Sequence, residues 1–242
     1  MKRMLTMIAV LAMVAGVAQA AIIVSYDAAN GADPTTQANP YGNLNEWGGG
    51  FSNVPWVHGG YPALITQDNN TGGGANYEQN INADKAAMSA NGWKFTVSAF
   101  SRWARLNDAG IAQMGSNEGA YRVRVGENGT GQVVEILNFV AGAWTLAGTV
   151  DSLTDNVLHK TELVYDGNVS GFVDVFVDDV EVLSDLTSFN ATSVTFFGSA
   201  SGADTGEIGW GEVTLETIPE PATTGMLMLG SALVLGLRRL KI

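Results

Sequence analysis

Apolar residues recur at every second position through several stretches of this chain, and that period restricts the fold more than any other feature. A repeat of two marks a strand with one buried face, whereas a helix repeats at about 3.6. Trp93, Phe95, Val97 and Ala99 alternate with Lys94, Thr96 and Ser98, and Tyr121, Val123 and Val125 alternate with Arg122 and Arg124. Residues 132–139 and 143–150 read as further strands, as do 193–197 and 208–216. The clearest hairpin lies in 171–183, where Val173, Val175 and Val177 share one face and Val180 and Val182 return across an Asp178-Asp179 turn. Asn128-Gly129 suits a second tight turn, and glycine and asparagine clusters at 48–50, 59–60 and 69–74 punctuate the rest. Only 82–88, Ala-rich and opened by an asparagine placed to cap it, reads as helix. The pattern predicts an all-β, two-sheet antiparallel sandwich.

The 242 residues contain no cysteine, so disulfides, thiolate nucleophiles and cysteine-bearing zinc sites are excluded. Residues 21–218 hold all acidic residues but Glu220, 23 of 24, and all basic ones but Lys2, Arg3, Arg238, Arg239 and Lys241, 7 of 12. That span is therefore near −16, a field that repels nucleic acid and attracts cations. All six tryptophans lie in it.

Both ends read as addresses. Lys2 and Arg3, an apolar run over 4–17 and the small-x-small site Ala18-Gln19-Ala20 have the form of a secretory signal peptide, with the mature chain starting at Ala21. This predicts passage through the export machinery and cleavage by a signal peptidase. At the other end, Pro219-Glu220-Pro221 precedes an uncharged stretch over 222–237, then Arg238, Arg239 and Lys241. Sixteen helical residues span about 24 Å, just enough for a hydrocarbon core of about 30 Å when basic side chains snorkel beyond it. The basic end predicts a cytoplasmic terminus, so the middle of the chain is expected outside the membrane. These residues resemble the PEP-CTERM sorting signal of Gram-negative bacteria. The resemblance implies a transmembrane helix, recognition by an exosortase-type transpeptidase cutting near Pro219-Glu220-Pro221, and delivery to the cell envelope or extracellular matrix. The two prolines hold the motif extended, a shape a protease cleft accepts.

Residues 159–167, a strand opened by histidine and closed by Tyr-Asp-Gly, and residues 172–182 stand in an order that resembles the concanavalin-A-like jelly rolls, especially their laminin-G-like branch. Val194 to Gly198 with Trp210 looks like the closing strands, and Tyr26-Asp27-Ala28 like an added one. Asp179 departs from the family, which usually has glycine there; aspartate bears a left-handed backbone less easily, so a differently shaped turn is expected.

Polysaccharide hydrolases of that superfamily carry a Glu-x-Asp-x-x-Glu-like string, which is absent here. Asp174 and Asp178 read as solvated hairpin residues, and His159 as a structural histidine near a sheet edge. No serine sits in a Gly-x-Ser-x-Gly elbow, His58 lies among glycines, and zinc and phosphate-loop patterns are missing. The chain is thus expected to be no enzyme and to need no cofactor, with calcium as the one option left by the oxygen-rich loops Asp68, Asn69, Asn70 and Asp27, Asn30, Asp33. Asx turns would explain the same residues locally. Trp47, Trp56, Tyr61 and Tyr77 sit in glycine-rich segments beside Asn and Asp, where exposed rings would suit a sugar's apolar face. The expected function is binding of extracellular polysaccharide or another surface component. The alternatives are a glycoside hydrolase or lyase on the same fold, and a structural matrix protein with no ligand.

Overall fold

A computed structural model describes residues 20–31, 34–37, 45–47, 54–58, 61–67, 76–102, 110–116, 119–140, 142–167, 172–187, 193–198 and 207–218. Fifteen strands lie among them: β1 Ile22–Asp27, β2 Asn45–Trp47, β3 Val54–His58, β4 Tyr61–Gln67, β5 Asn76–Asn80, β6 Trp93–Arg102, β7 Gly110–Ser116 and β8 Gly119–Glu127, then β9 Gln132–Val140, β10 Ala143–Leu153, β11 His159–Tyr165, β12 Phe172–Val177, β13 Val180–Thr187, β14 Ser193–Gly198 and β15 Glu207–Thr217. They form two antiparallel sheets. The first runs β13-β12-β11-β6-β15-β4-β3, and β1 shares the outer flank of β15 with β4: β4 pairs with Glu207 to Trp210, β1 with Glu212 to Glu216. The second runs β10-β9-β8-β7-β14-β5-β2.

Alternation explains why the sheets stack. In β6, Trp93, Phe95, Val97 and Ala99 are buried while Lys94 and Ser98 are only partly covered, and in β8 Tyr121, Val123 and Val125 take the same inward parity. One core collects these with Leu163, Tyr165, Val173, Val175, Trp210, Val213, Leu215, Ile136 and Val194. Trp93 joins the sheets, its ring 6.0 Å from Tyr121 of the second and 5.8 Å from Tyr165 of the first. Tyr121 donates its hydroxyl to the Thr187 carbonyl, and burial pushes that phenol well above its ordinary pKa. A buried amide makes a second link: Gln132 of β9 accepts from the Ser101 N–H at 3.0 Å and donates to the Ala99 carbonyl at 3.3 Å, both on β6. A buried polar group so matched costs little and fixes the register of one sheet on the other.

Local chemistry sets the joints. The Asp178-Asp179 turn has both residues at positive φ, 50° and 64°, the form a two-residue hairpin of right-twisted strands prefers. Asp179 thus takes up a left-handed backbone where glycine would do so without strain. Its cost is offset by bonds to β11: Asp178 accepts from the Lys160 N–H at 2.9 Å and meets His159 Nδ1 at 2.6 Å, and Asp179 accepts from Lys160 Nζ at 2.6 Å. The Asn128 turn joins β8 to β9, with Gly129 at φ 88° and the Asn128 side chain accepting from the Thr130 N–H at 3.0 Å.

The helical stretch covers 82–88 and runs three residues further. Residues Asn82–Asp84 form a 3-10 turn and α1 covers Lys85–Asn91. Asn82 does not cap it: neither segment has a side-chain cap, and Asn80 accepts from the Asn82 N–H at 2.9 Å in a local turn just before. Gly92 ends α1 at φ 87°, and a Cβ there would lie 2.2 Å from the Tyr165 carbonyl oxygen, so β6 can start beside β11 only with glycine at this point.

Ile22–Thr217 is one compact unit. Ala18, Pro219, Glu220, Pro221, Arg238, Arg239 and Lys241 lie outside the described residues, and Ala20 and Ala21 have no regular structure. Among the described residues no helix is long and apolar enough to cross a membrane.

Candidate functional site

Each sheet turns one face to the core and one outward, and the two outward faces differ in chemistry. On the first sheet, Lys94 of β6 sits between Glu216 of β15, 2.7 Å away, and Glu162 of β11, 3.7 Å away. Lys160 lies 3.3 Å from Glu162 and 2.6 Å from Asp179. Acid and base thus alternate from Glu216 on β15 through Lys94 on β6 to Glu162 and Lys160, both on β11, and Asp179 in the β12–β13 turn. The hydrogen bond to Glu216 chiefly raises the Lys94 pKa, and that to Asp179 raises Lys160. A cleft of about 400 Å³ opens over this ladder, with Asp27 and Glu212 also on its wall. Glu212 accepts from the Thr214 hydroxyl at 3.1 Å.

The second sheet's outward face carries aromatic rings instead. Arg122 and Arg124 alternate outward from β8, opposite Leu137 and Glu135 of β9. Arg124 donates Nε to Glu135 Oε2 at 2.6 Å, and its Nη2 reaches the same oxygen. Arg122 takes another course. Its guanidinium passes over β9 and lies on the indole of Trp144 in β10, 3.8 Å from the ring centroid. Phe139 meets that indole edge-on, centroids 5.2 Å apart at 62°. Gln113 of β7 holds the guanidinium from the other side, its Oε1 accepting from Nε at 3.1 Å and Nη2 at 2.9 Å. Burial first, and then repulsion from Arg124, push the Arg122 pKa down to about 10, so the group stays cationic at neutral pH. Trp144 and Phe139 are partly exposed, and Leu146 beside them is 52 % exposed. The arrangement sets a partly exposed, edge-on aromatic pair beside a fixed guanidinium that lies on one face of the indole.

Of the aromatics expected to bind sugar, Trp56 and Tyr61 belong to one hairpin, β3–β4, while Trp47 and Tyr77 belong to β2 and β5. Trp47 ends β2 in the second sheet, whereas Trp56 of β3 and Tyr61 of β4 belong to the first; their side chains lie outside the described residues. Tyr77 is a correction: it is fully buried, because the inward parity of β5 sends its ring into the core. Asp68, Asn69, Asn70 and Asp33 lie outside the described residues. Asp27 works locally, its Oδ1 accepting from the Ala29 N–H at 2.8 Å at the head of a 3-10 turn, Ala28–Asn30. Among the described residues no group of three or more His, Asp or Glu is placed to hold a metal ion. His159 is buried, with Nδ1 on Asp178 and Nε2 at 3.0 Å from the Thr154 carbonyl oxygen. Both ring nitrogens are thereby engaged. The histidine clasps the hairpin tip to the loop before β11.

Sequence reasoning passed over Arg122, Trp144, Phe139 and Gln113. Alternation alone placed the arginines outward, but their approach to Trp144 depends on a strand register across β9 that one-dimensional periodicity does not give.

No family model and no curated protein matches the chain. Solved structures do. The conserved carbohydrate esterase of a Shiga toxin-encoding bacteriophage superposes with a TM-score of 0.59 at 15 % identity, covering 83 % of this chain and all of that one. The binding domain of botulinum neurotoxin DC in complex with SialylT gives 0.55 at 12 %, over 87 % of this chain. Botulinum neurotoxin type C, which depends on interaction with two ganglioside molecules to get into cells, gives 0.54 at 9 %. This chain spans about half the length of the neurotoxin chains, 51 % in each case. At such identities the likeness establishes the fold alone: an all-β, jelly-roll-like sandwich of two antiparallel sheets.

Proposed function

We propose that the chain is an exported, non-enzymatic protein of the cell envelope or extracellular matrix that binds polysaccharide on the outward face of its second sheet. The observation that carries this reading is the surface around Trp144. A partly exposed indole with Phe139 edge-on to it offers apolar surface to a sugar ring, and Arg122, stacked on one face of the indole and held by Gln113, offers donors to the sugar's oxygens. The indole N–H of Trp144 has no acceptor among the described residues, which leaves a donor for a ligand. Three sandwiches of similar fold are described as acting on carbohydrate or meeting glycan-bearing partners, which is compatible with this use of the architecture. The signal-like amino terminus and the tail resembling a PEP-CTERM signal supply the route: export, then handling by an exosortase-type enzyme at Pro219-Glu220-Pro221. A glycan array probed with the full chain, with and without calcium, tests the reading. The wild type is expected to retain at least one glycan class and Trp144→Ala to lose it; uniformly blank arrays would overturn it.

A further inference from the structure

Arg122 is held on two sides and open on a third. Of its five N–H donors, Nε–H and one on Nη2 point to Gln113 Oε1, and the plane rests on Trp144. The end of the guanidinium, Nη1 and the remaining Nη2 hydrogen, has no acceptor among the described residues. Nor does any carboxylate of the described residues pair with this cation, while Lys94, Lys160 and Arg124 each have one. A partly buried, unneutralised guanidinium is costly to keep, and its fork geometry fits a carboxylate with two parallel bonds. The chain's overall negative charge does not forbid this, because at physiological salt charges beyond about 8 Å are largely screened and the local field is that of Arg122.

We infer that this site takes an acidic polysaccharide, with the carboxylate of a uronic-acid-type sugar on the Nη1–Nη2 edge of Arg122 and the sugar ring against the Trp144–Phe139 pair. The inference rests on the glycan-binding reading above and names its ligand class. Gln113 acts as the positioning residue: by occupying the Nε edge it leaves the end of the fork as the side a ligand meets.

The test measures binding of the full chain to polygalacturonate, its fully methyl-esterified form, a neutral glucan and dextran sulfate, with folding of each variant checked by circular dichroism and melting. The acid polymer is expected to bind, and its methyl ester about tenfold or more weakly, because esterification removes the charge-assisted bonds and keeps the sugars. Arg122→Gln should lose that preference, and Arg122→Lys, which keeps the charge without the fork, should recover only part of it. Equal binding of acid and ester, or of the neutral glucan alone, overturns the acidic class and leaves glycan binding standing. Dextran sulfate binding as tightly as polygalacturonate overturns it too, since any polyanion would then suffice. If no polymer binds, the acidic class falls, and the glycan array decides whether the wider reading falls with it.

Discussion

The two outward faces of this sandwich each carry a pair of cations, Lys94 and Lys160 on adjacent strands of the first sheet and Arg122 and Arg124 on one strand of the second, yet they use them differently. On the first sheet Lys94 and Lys160 are interleaved with Glu216, Glu162 and Asp179, so each charge finds its partner inside the protein. On the second, Arg124 is matched by Glu135, but Arg122 is supported by an amide and an indole and keeps part of its hydrogen-bonding capacity. A face whose charges are satisfied internally gains stability, modest because the lysines are partly solvated. A face that holds a cation in place without neutralising it retains chemistry for a ligand. Burial explains how the second face bears this: the stack on Trp144 and the bonds to Gln113 replace some of the lost hydration.

The largest expected effect breaks the frame both faces share. Trp93→Ala removes the ring that packs against Tyr121 and Tyr165 and should cost about 3–5 kcal/mol of stability, read as a lower denaturation midpoint. Trp144→Ala should instead leave the fold standing and weaken glycan binding about tenfold or more, while Lys94→Met, on the opposite face, leaves binding unchanged. Equal losses from both substitutions would erase the distinction between the faces. The turn over the first sheet sharpens it further. Asp178→Ala gives up bonds to His159 and the Lys160 N–H and should cost about 1–2 kcal/mol. Asp179→Gly gives up only an exposed contact with Lys160 and relieves a left-handed aspartate, so denaturant melts should show it neutral or stabilised by up to about 1 kcal/mol.

The smallest effect is alkaline. Lys94 has a folded pKa above its unfolded 10.5, so its contribution is present below pH 10.5 and fades as pH rises through the folded value. Tyr121, raised by burial, has the same sign: its unfolded form ionises first and stability falls above about pH 10. Arg122 has the opposite sign, since its folded pKa of about 10 lies below 12.5, and its charging penalty is relieved between those values. Melting temperature should therefore decline above pH 10, less steeply in Lys94→Met and more steeply in Arg122→Gln. An unchanged slope in both variants would separate these side chains from the titration.

Much of the sandwich was legible in the sequence. β6, β8, β11 and β12 were marked by alternation because their burial alternates along the strand, β9 by its apolar run, and the Asp178-Asp179 and Asn128-Gly129 turns by their residue types. β2 to β5 and β7 were not, since short strands rich in glycine, asparagine and alanine carry little hydrophobic contrast. The same segments misplaced Tyr77: a tyrosine among polar neighbours reads as exposed, but β5 is covered on its inner face by the other sheet. The candidate site was least legible, because Arg122, Gln113 and Trp144 are brought together by pairing among β7, β8, β9 and β10 and not by proximity in the chain.

The central claim is that a polysaccharide docks on the outward face of the second sheet. An NMR titration of the full chain with polygalacturonate tests it most directly, following the Trp144 indole N–H and the Arg122 Nε–H on that face and the backbone amides of Lys94, Thr96 and Thr214 on the other. Saturable shifts of the Trp144 and Arg122 signals, with the other three still, are the predicted result. Movement at Lys94, Thr96 and Thr214 while Trp144 and Arg122 stay fixed would contradict it.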